Sequence, residues 1–395
     1  MRGEPLLQEG RAAESVCPQT AVLRGGLEII DALAPEWEAL CDANPCRQPF
    51  SRPEWVRAWC RAFAPRATLV LVTARLGGRL SAVLPLIQRV TSFYGLPARK
   101  LTGAASFFFR FDAAWRSEEE KKAASRALWQ ALEELDGWDV IEFPHLRQEA
   151  GLQVLVHAAR TNGCPIGYRD AAPSAFIPVA GWDGNPDYWL LRCGRHFRHT
   201  YRAAARKLPA GARLALRHVQ TADAASLETF FALERSGWKG RKGSAIDCDA
   251  AHRRFYTDLA EAAARAGYFS LYFLDLNGTP IAAHFGFALG GAFHTLKCAY
   301  DESYRLCAPG HLIVDAVLQD CARRGLTEME LGPVSEWKSK WTSLAHPSRF
   351  VYIFRKGVYG RLLHSLRFKL IAGLKRLLPR PPNKQKRTRR QHRFA

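Results

Sequence analysis

The chain has 395 residues, of which 48% are hydrophobic and 24% are charged, a composition typical of a globular protein. Its length favours two domains of ordinary size, and no apolar run approaches the ~20 residues that a transmembrane helix requires. The formal net charge is +20, and 17 Lys and Arg residues but no acidic residue follow Glu336. The positive charge is therefore concentrated at the C-terminal end.

The ten cysteines show no CxxC spacing, which argues against a zinc site and against a disulfide framework. The first residues are polar and of mixed charge, without the pattern of a signal peptide. We therefore expect reduced thiols, no bound metal and a cytoplasmic protein, with peripheral association at the inner face of the membrane as an open alternative.

The first half of the sequence predicts an alternation of helices and strands after a flexible leader. Apolar strands on either side of Gly77-Gly78 predict a hairpin, because paired glycines favour a tight turn. The remaining predicted elements are two short helices at 34–45 and 51–63, a long helix at 117–135 and a strand at 138–143.

The second half repeats this order after a Pro- and Gly-rich stretch at residues 173–186. The turns Asn277-Gly278 and Gly290-Gly291 join three strands into a predicted antiparallel meander, and a helix begins at Pro309-Gly310. The other predicted elements are strands at 212–219, 327–331 and 348–354, and helices at 224–236 and 251–267.

A basic helix precedes the first of these strands. Its charges recur in three- and four-residue steps, which places them on one helix face. Like charges this close together suit an acidic partner or substrate, although a solvated surface is the alternative. The residues are Arg192, Arg195, Arg198, His199, Arg202 and Arg206.

The shared order of elements predicts a tandem duplication, with two unrelated domains as the alternative. Each copy is expected to be α+β (mixed α/β), a twisted and mainly antiparallel sheet flanked by helices. The predicted segments are a flexible leader at 1–22, an N-terminal domain at 23–175, a C-terminal domain at 176–357, and a basic amphipathic helix with a disordered tail at 358–395.

The C-terminal helix has leucines at helical spacing with Lys and Arg between them. Such a helix can dock on the core of the protein, lie on an anionic membrane surface or contact nucleic acid. The sequence alone leaves these three possibilities open.

The order of a meander, a loop, a helix and a crossover strand resembles the acyl-CoA N-acyltransferase (GNAT) fold. The sequence is more specifically similar to the CelD-type (cellulose-biosynthesis, BioF-like) acetyltransferase family, itself similar to the Fem-type transferases with two tandem copies. The similarity covers about residues 37–355. It rests on "FALERSGWKGRKGSAI" (231–246), "PIAAHFGF" (280–287), "KCAYDESYRLCAPGHLI" (297–313) and "EWKSKW" (336–341), and more weakly on "FSRPEWVRAWCRAF" (50–63) and "LSAVLPL" (80–86).

This resemblance implies an N-acyltransferase that uses acetyl-CoA or another acyl-CoA and acts on a cell-envelope or exopolysaccharide component. The helix start would then hold the pyrophosphate of the donor, because backbone N–H groups at a helix N-terminus favour anions. The residues that match this position are Ala308, Pro309, Gly310, His311 and Leu312.

Two alternatives stay open at this point. The stretch "RLCAPG" (305–310) has one glycine, fewer than the usual GNAT signature. Fem-type relatives use aminoacyl-tRNA as the donor, which would bring in tRNA as a partner. The chain could therefore be an aminoacyl transferase, or a non-catalytic scaffold of polysaccharide synthesis.

Amide formation from a thioester needs an acceptor for the amine proton, a donor to the developing oxyanion and an acid for the leaving thiolate. We expect backbone N–H groups near Lys297 to polarise the carbonyl. Tyr300 or Tyr304 is the candidate acid, and the candidate proton acceptor is Asp301, Glu302 or Glu234. The structural alternatives are Tyr300 as strand core, Asp301 as a cap and Glu234 as a surface charge.

Acceptor binding is predicted for the loop after the helix at 224–236. Trp238, Lys239 and Lys242 combine an aromatic ring with ammonium groups, which suits a sugar or phosphate, although a packed ring with solvated lysines is equally consistent. Lys338 in "EWKSKW" is expected to contact phosphate or acceptor. Four histidines show no partner pattern and receive no catalytic role: His196, His284, His294 and His311.

Overall fold

The computed structural model describes residues 18–44, 47–93, 95–104 and 110–370. Its α-helices are α1 (Glu28–Ala43), α2 (Pro53–Phe63), α3 (Glu118–Glu134), α4 (Leu152–Thr161), α5 (Tyr188–Arg192), α6 (Arg195–Ala205), α7 (Ala224–Ser236), α8 (Trp238–Arg241), α9 (Ala250–Arg265), α10 (Pro309–Arg323) and α11 (Val358–Ser365). Its strands are β1 (Gln19–Gly25), β2 (Thr68–Leu76), β3 (Arg79–Phe93), β4 (Leu96–Gly103), β5 (Ala114–Trp115), β6 (Val140–Arg147), β7 (Ile166–Asp170), β8 (Ser174–Pro178), β9 (Leu214–Val219), β10 (Phe269–Leu276), β11 (Thr279–Leu289), β12 (Ala292–Tyr300), β13 (Glu328–Pro333), β14 (Ala345–His346) and β15 (Ser348–Phe354).

The strands form two sheets. The first has the order β1-β2-β3-β4-β6-β15-β7, with β5 paired to β3, and the second has the order β14-β8-β13-β12-β11-β10-β9. Each sheet is antiparallel except for one parallel pair, β4 with β6 and β12 with β13. In both halves a helix, α3 or α10, connects the two parallel strands. The predicted α+β class with two mainly antiparallel sheets is confirmed.

The two halves exchange strands. β8 follows the strands of the first sheet in the sequence but lies between β13 and β14 of the second. β15 follows the strands of the second sheet but lies between β6 and β7 of the first. Sheet membership does not follow the predicted division near residue 175, since β8 spans it and β15 joins the first sheet. That division remains a prediction. β1 likewise begins within the segment predicted as a leader.

Glycine turns form the hairpins that the sequence predicted, including those at Gly77-Gly78 and Asn277-Gly278. Gly77 and Gly78 have φ of 58° and 78°, and Asn277 and Gly278 have φ of 50° and 85°. These left-handed conformations match tight hairpin turns, in which Gly and Asn are favoured. The predicted meander is confirmed as β10, β11 and β12.

One hydrophobic core contains side chains from both halves. Trp55 of α2 is fully buried, and its ring packs edge-on against Phe255 of α9 and Phe287 of β11, with centroids 5.5 and 6.1 Å apart. Helices α1 and α2 contribute to this cluster together with α7 and α9. Burying rings this large contributes several kcal/mol of stability, so the two halves stabilise each other.

The C-terminal helix α11 docks on the first sheet along one side. Leu363 is fully buried, and Phe368 packs with Phe354 of β15. The opposite side is open, since Val358 is 85% and Leu362 is 45% exposed. Docking, one of the three predicted possibilities, therefore holds for the described part of this helix. The rest of the predicted helix and the predicted tail, from residue 371 onward, lie outside the described residues, among which no helix is long and apolar enough to cross a membrane.

Candidate functional site

The parallel strands β12 and β13 pair at only three positions, Ala292 to His294 with Glu328 to Glu330, and then separate. A bulge in β12 at this point changes its register with β11. The separation opens a cavity of about 340 Å³. Its wall is formed by Leu233, Glu234, Gly237, Lys239, Cys298, Ala299, Tyr300, Glu302, Gly310, Ser335, Trp337 and Lys338.

Helix α7 supplies a buried carboxylate to this cavity. The side chain of Glu234 is fully buried, and its Oε2 accepts a hydrogen bond of 2.7 Å from the N–H of Ile246. Lys239 Nζ lies 3.0 Å from Glu234 Oε1 and donates to the carbonyl of Cys298 at 2.7 Å. Glu234 is thus not the surface charge of the structural alternative, and Lys239 links α7 to β12.

Lys297 lies on the other face of β12 from the cavity-lining Cys298, because successive strand residues alternate between faces. Its ammonium group is 5.6 Å from the centre of the Tyr256 ring. Burial, reinforced by the nearby charge of Lys239, lowers the pKa of Lys297. Lys297 itself is not part of the cavity wall. The role predicted for the backbone N–H groups near it remains a prediction.

Tyr300, Asp301 and Tyr304 follow one another at the end of β12. Tyr300 lines the cavity, and burial together with the charge of Glu302 raises the pKa of its hydroxyl. Asp301 caps the 3₁₀ helix Glu302–Cys307, accepting from the N–H and hydroxyl of Ser303 at 2.9 and 2.7 Å. Asp301 and Tyr304 are outside the cavity wall, so Tyr300 is the better placed of the two candidate acids.

Helix α10 begins at the cavity. Ala308, its N-cap, has a left-handed conformation with φ of 53° and ψ of 50°, which turns the chain from the 3₁₀ helix into α10. Gly310 faces the cavity, where a Cβ would lie 3.6 Å from Tyr300 and 3.8 Å from Trp337. The first turn of α10 therefore presents its backbone to the opening between the strands.

The side chains on either side of Gly310 pack against other parts of the protein. Leu312 is 9% exposed in the core, and Pro309 is buried. His311 accepts a hydrogen bond of 2.9 Å from Trp341 Nε1 and stacks on Trp337, with centroids 4.9 Å apart. Burial lowers the pKa of His311 to about 4, so its ring is neutral at neutral pH. "EWKSKW" thus packs against the start of α10 through its two tryptophans.

The predicted acceptor-binding residues lie in different surroundings. Lys338 lines the cavity and donates to the carbonyl of Pro333 at 2.9 Å, and burial lowers the pKa of its amine. Lys242 is exposed and not part of the wall. Trp238 begins the short helix α8.

The cavity therefore brings together six residues that the sequence proposed for the site: Glu234, Lys239, Tyr300, Glu302, Gly310 and Lys338. Among the wall residues that received no functional role from the sequence are Cys298 and Trp337. His284, to which no catalytic role was assigned, is buried on β11 opposite Cys298. Among the described residues, no group of three His, Cys, Asp or Glu side chains could hold a metal ion.

Comparison with known proteins shows which family the region around this site is similar to. Residues 195–339 match the family described as "Acetyltransferase (GNAT) domain". This range includes the whole cavity wall, so the cavity lies in the part of the chain that is similar to an acetyltransferase (GNAT) domain, and this similarity supports an acyl-CoA donor. The match supports an acyltransferase.

Two solved structures share the fold. The chain is similar to the crystal structure of FemX with a TM-score of 0.57 and 13% identity, over 84% of this chain and 98% of that chain. It is also similar to the C-terminal domain (DUF2156) of a protein assigned as a lysylphosphatidylglycerol synthetase from Agrobacterium fabrum, with a TM-score of 0.52 and 11% identity, over 86% and 95%. Comparison with curated protein sequences finds no match.

Proposed function

We propose that the chain is an acyl-CoA-dependent N-acyltransferase whose donor binds in the cavity between β12 and β13. The supporting observation is the position of the α10 N-terminus, where Gly310 lies beside Tyr300 and Trp337 at the point where the strands separate. Backbone N–H groups and the helix dipole suit the pyrophosphate there. The thioester then extends between the strands, past Cys298 and Tyr300.

Two groups in the wall suit the proton transfers. Glu234 accepts the proton of the acceptor amine, directly or through a water, while Lys239 holds the carboxylate in place. Tyr300 donates its hydroxyl proton to the leaving thiolate, and its raised pKa keeps that proton bound at neutral pH. Lys338 provides a positive charge on the opposite wall for an anionic group of donor or acceptor.

The acceptor that we propose is an amine of a cell-envelope or exopolysaccharide component. This choice rests on the resemblance of the quoted motifs to the CelD-type family. Aminoacyl transfer, with tRNA as a partner, is the second candidate, and the observation that favours it is the exposed basic face of α6. Arg195, His199 and Arg202 are exposed there, and the nearby Asp187 pairs with Arg202.

Calorimetric titration of the full chain with acetyl-CoA tests the proposed donor. Gly310→Asp should weaken binding tenfold or more, about 1.4 kcal/mol, because it places a negative charge at the helix N-terminus. Gly310→Ala is the matched control, since its Cβ makes ordinary contacts with Tyr300 and Trp337 and should leave affinity within about threefold. Equal affinity of the wild type and the Asp variant, both folded, would show that this turn holds no anion.

We further propose an anionic membrane surface as a partner of the C-terminal segment. The open side of α11 presents Val358 and Leu362 beside Arg361, an apolar and basic combination that suits a lipid surface. A chain ending at Leu370 keeps the docked Leu363 and Phe368 but lacks nine Lys and Arg.

The full chain should co-sediment with vesicles containing phosphatidylglycerol at low salt and dissociate as salt rises, whereas the shortened chain should stay in solution. Both should bind acetyl-CoA equally, because the cavity is unchanged. If the full chain ignores the vesicles but binds tRNA with a steep salt dependence, the membrane proposal fails and aminoacyl transfer gains support.

A further inference from the structure

A second cavity, of about 390 Å³, lies beside the first sheet. Pro347 and Ser348 form part of its wall, at the point where the chain passes from β14 of the second sheet to β15 of the first. The end of β6, the start of α4 and Tyr168 of β7 complete the wall. We call this cavity the exchange pocket, and its volume is within the range of small-molecule sites.

The wall of the exchange pocket combines an apolar base with polar side chains. Leu146 and Val351 are buried, and both belong to the hydrophobic core of the first half. Gln148 and Arg349 are exposed, and Gln153 is half-buried. Apolar surface with a few polar groups around it is the usual construction of a site for a small molecule.

Tyr168 presents an aromatic ring to this pocket. The residue is 38% exposed, and its hydroxyl accepts a hydrogen bond of 2.8 Å from Arg160 of α4. Arg160 is not part of the wall, so it holds the ring from outside the pocket. The face of an aromatic ring is electron-rich, and it attracts weakly positive C–H groups such as those of a sugar ring.

The wall carries little charge. Among the described residues that form it, Arg349 is the one charged side chain, and its Nε lies 3.2 Å from Asp170 Oδ1. Gln148 and Gln153 offer amide groups, which both donate and accept hydrogen bonds. Gln153 Nε2 donates to the carbonyl of Arg147 at 2.8 Å, which leaves its amide oxygen to accept. Neutral hydroxyl groups suit this set better than a phosphate or a carboxylate does.

The short connection between β7 and β8 contacts the borders of both cavities. On one side, the hydroxyl of Ser348 donates to the carbonyl of Ala172 at 3.5 Å. On the other side, the N–H of Val334 donates to the carbonyl of Pro173 at 2.9 Å. Ser348 belongs to the wall of the exchange pocket, and Val334 precedes Ser335 in the wall of the donor cavity. A ligand that extends beyond one cavity can therefore reach the other.

We propose that the exchange pocket binds a neutral pyranose unit of the acceptor, while the amine of another unit of the same saccharide reaches Glu234. This inference rests on the acyl transfer proposed above and specifies its acceptor as an amino sugar within an oligosaccharide. The pyranose stacks on Tyr168, and its hydroxyls bond to Gln148 and Gln153. Binding of a unit that does not react orients the reacting amine.

The surface between the two cavities suits the middle of such a saccharide. Ala172 and Pro173 are exposed, and Val334 is 42% exposed. These side chains are small and uncharged, so an extended chain can lie across them without displacing an ion pair. The proposal adds no covalent step, because the exchange pocket only binds and positions the acceptor.

Calorimetric titration with the neutral tetrasaccharide of N-acetylglucosamine, without acetyl-CoA, tests the pocket by itself. The wild type should bind, and Tyr168→Ala should weaken binding about tenfold, because the stacking surface is lost. Tyr168→Phe keeps the ring and should stay within about threefold of wild type. Arg160→Gln is the matched control, since it removes the same hydrogen bond from outside the wall and should also stay within about threefold.

Acetylation kinetics connect the pocket to the donor cavity. The KM for the tetrasaccharide of glucosamine should be about tenfold lower than the KM for glucosamine. Tyr168→Ala should remove this difference but leave kcat and the KM for glucosamine unchanged, because remote binding is lost and the chemistry is not. Such a split would not result from a general loss of stability.

The outcomes separate this inference from the proposed donor. Acetyl-CoA binding by a chain that shows no affinity for the N-acetylglucosamine tetrasaccharide would overturn the exchange pocket alone. Tetrasaccharide binding that Tyr168→Ala leaves unchanged would place the saccharide elsewhere and would also overturn it. Tetrasaccharide binding that depends on Tyr168, in a chain that does not bind acetyl-CoA, would support the pocket and overturn the donor.

Discussion

The two halves share an order of strands and helices but differ in the gap beside their parallel strand pair. In the second half the gap between β12 and β13 is open and forms the cavity. In the first half β4 and β6 also pair at three positions, but Phe111 then bridges to Leu146 of β6 and stacks on Phe143. An aromatic ring occupies the place that is open in the other half.

Neighbouring residues of the first half accommodate the Phe111 ring in this gap. A Cβ at Gly103 would lie 2.5 Å from the Phe111 ring, so only glycine permits the close approach. Next to Phe111, the buried carboxylate of Asp112 accepts from the N–H groups of Gly151 and Leu152 at 2.9 and 3.1 Å. One half thus fills the gap with a packed side chain, while the other leaves it open as the cavity of the proposed donor site.

Removing the Phe111 ring is the strongest test of this difference between the two halves. Phe111→Ala should lower the free energy of unfolding by about 4 kcal/mol, because a large buried side chain leaves a cavity behind. Acetyl-CoA affinity should not change, since the site lies in the other sheet. Urea denaturation and calorimetry measure the two quantities. A stability loss below about 1 kcal/mol would contradict the structural role of the ring.

The connection between the halves can be broken at Glu330. This buried carboxylate of β13 accepts from Ser174 of β8 at 2.8 Å, pairs with Arg147 of β6 and lies 2.8 Å from His294 of β12. Glu330→Gln should cost about 3 kcal/mol at pH 7, because it leaves the Arg147 charge buried without its partner. Glu149→Gln, which alters an exposed neighbour of Arg147, should cost less than about 0.5 kcal/mol.

The same pair of variants has a predicted pH dependence. Burial would raise the pKa of Glu330, but the hydrogen bond from His294 and the charge of Arg147 lower it further, well below its ordinary 4.5. A lowered pKa in the folded state contributes stability above 4.5 that is lost as pH falls toward the folded-state value. The free energy of unfolding, measured by denaturation at several pH values from 7 to 3, should therefore decrease less for Glu330→Gln than for wild type or Glu149→Gln.

Helices α3 and α10, which hold equivalent places, begin differently. Ser117 caps α3 by accepting from the N–H of Glu120 at 3.3 Å, so Ser117→Ala should cost about 1 kcal/mol. Ala308 begins α10 in a left-handed conformation without a side-chain cap. Thermal unfolding of Ser117→Ala should show the lower stability, whereas calorimetric titration should show unchanged affinity for acetyl-CoA.

Ala308→Gly is the smallest expected effect and has the opposite sign. It should raise the free energy of unfolding by about 0.5 kcal/mol, because relief of left-handed strain exceeds the entropy lost by glycine. A destabilised Gly variant would show that the Ala308 methyl group contributes packing that outweighs the strain. Denaturation midpoints of the two proteins, measured side by side, decide between these outcomes.

Local patterns predicted the parts of the fold that depend on short-range chemistry. The glycine turns, the meander and the helix start at Pro309 follow from turn preferences and apolar periodicity, and all of them are observed. The positions of β8 and β15 could not be predicted, because exchange between sheets depends on which distant strand edge is free. A sequence pattern identifies a strand but not its partner.

The pairing of His284 with Cys298 was missed for a related reason. An unbroken hairpin through Gly290-Gly291 would place Lys297, not Cys298, opposite His284, since Leu289 pairs with Ala292. The bulge at Leu296 shifts the register by one residue and turns the thiol toward the histidine. The signal available in the sequence was a lone histidine within the apolar run "PIAAHFGF" (280–287).

The exchanged strands have a consequence for the synthesis of the chain. β15 ends at Phe354 and lies inside the first sheet, between strands that end at residues 147 and 170. A ribosome must therefore translate the strands of the second sheet before the first sheet acquires its last internal strand. Nascent chains would expose the edges of β6 and β7 throughout that interval, when strand edges are prone to wrong pairing. The first sheet can therefore be completed only after the second has been synthesised, although most of its strands come first in the chain.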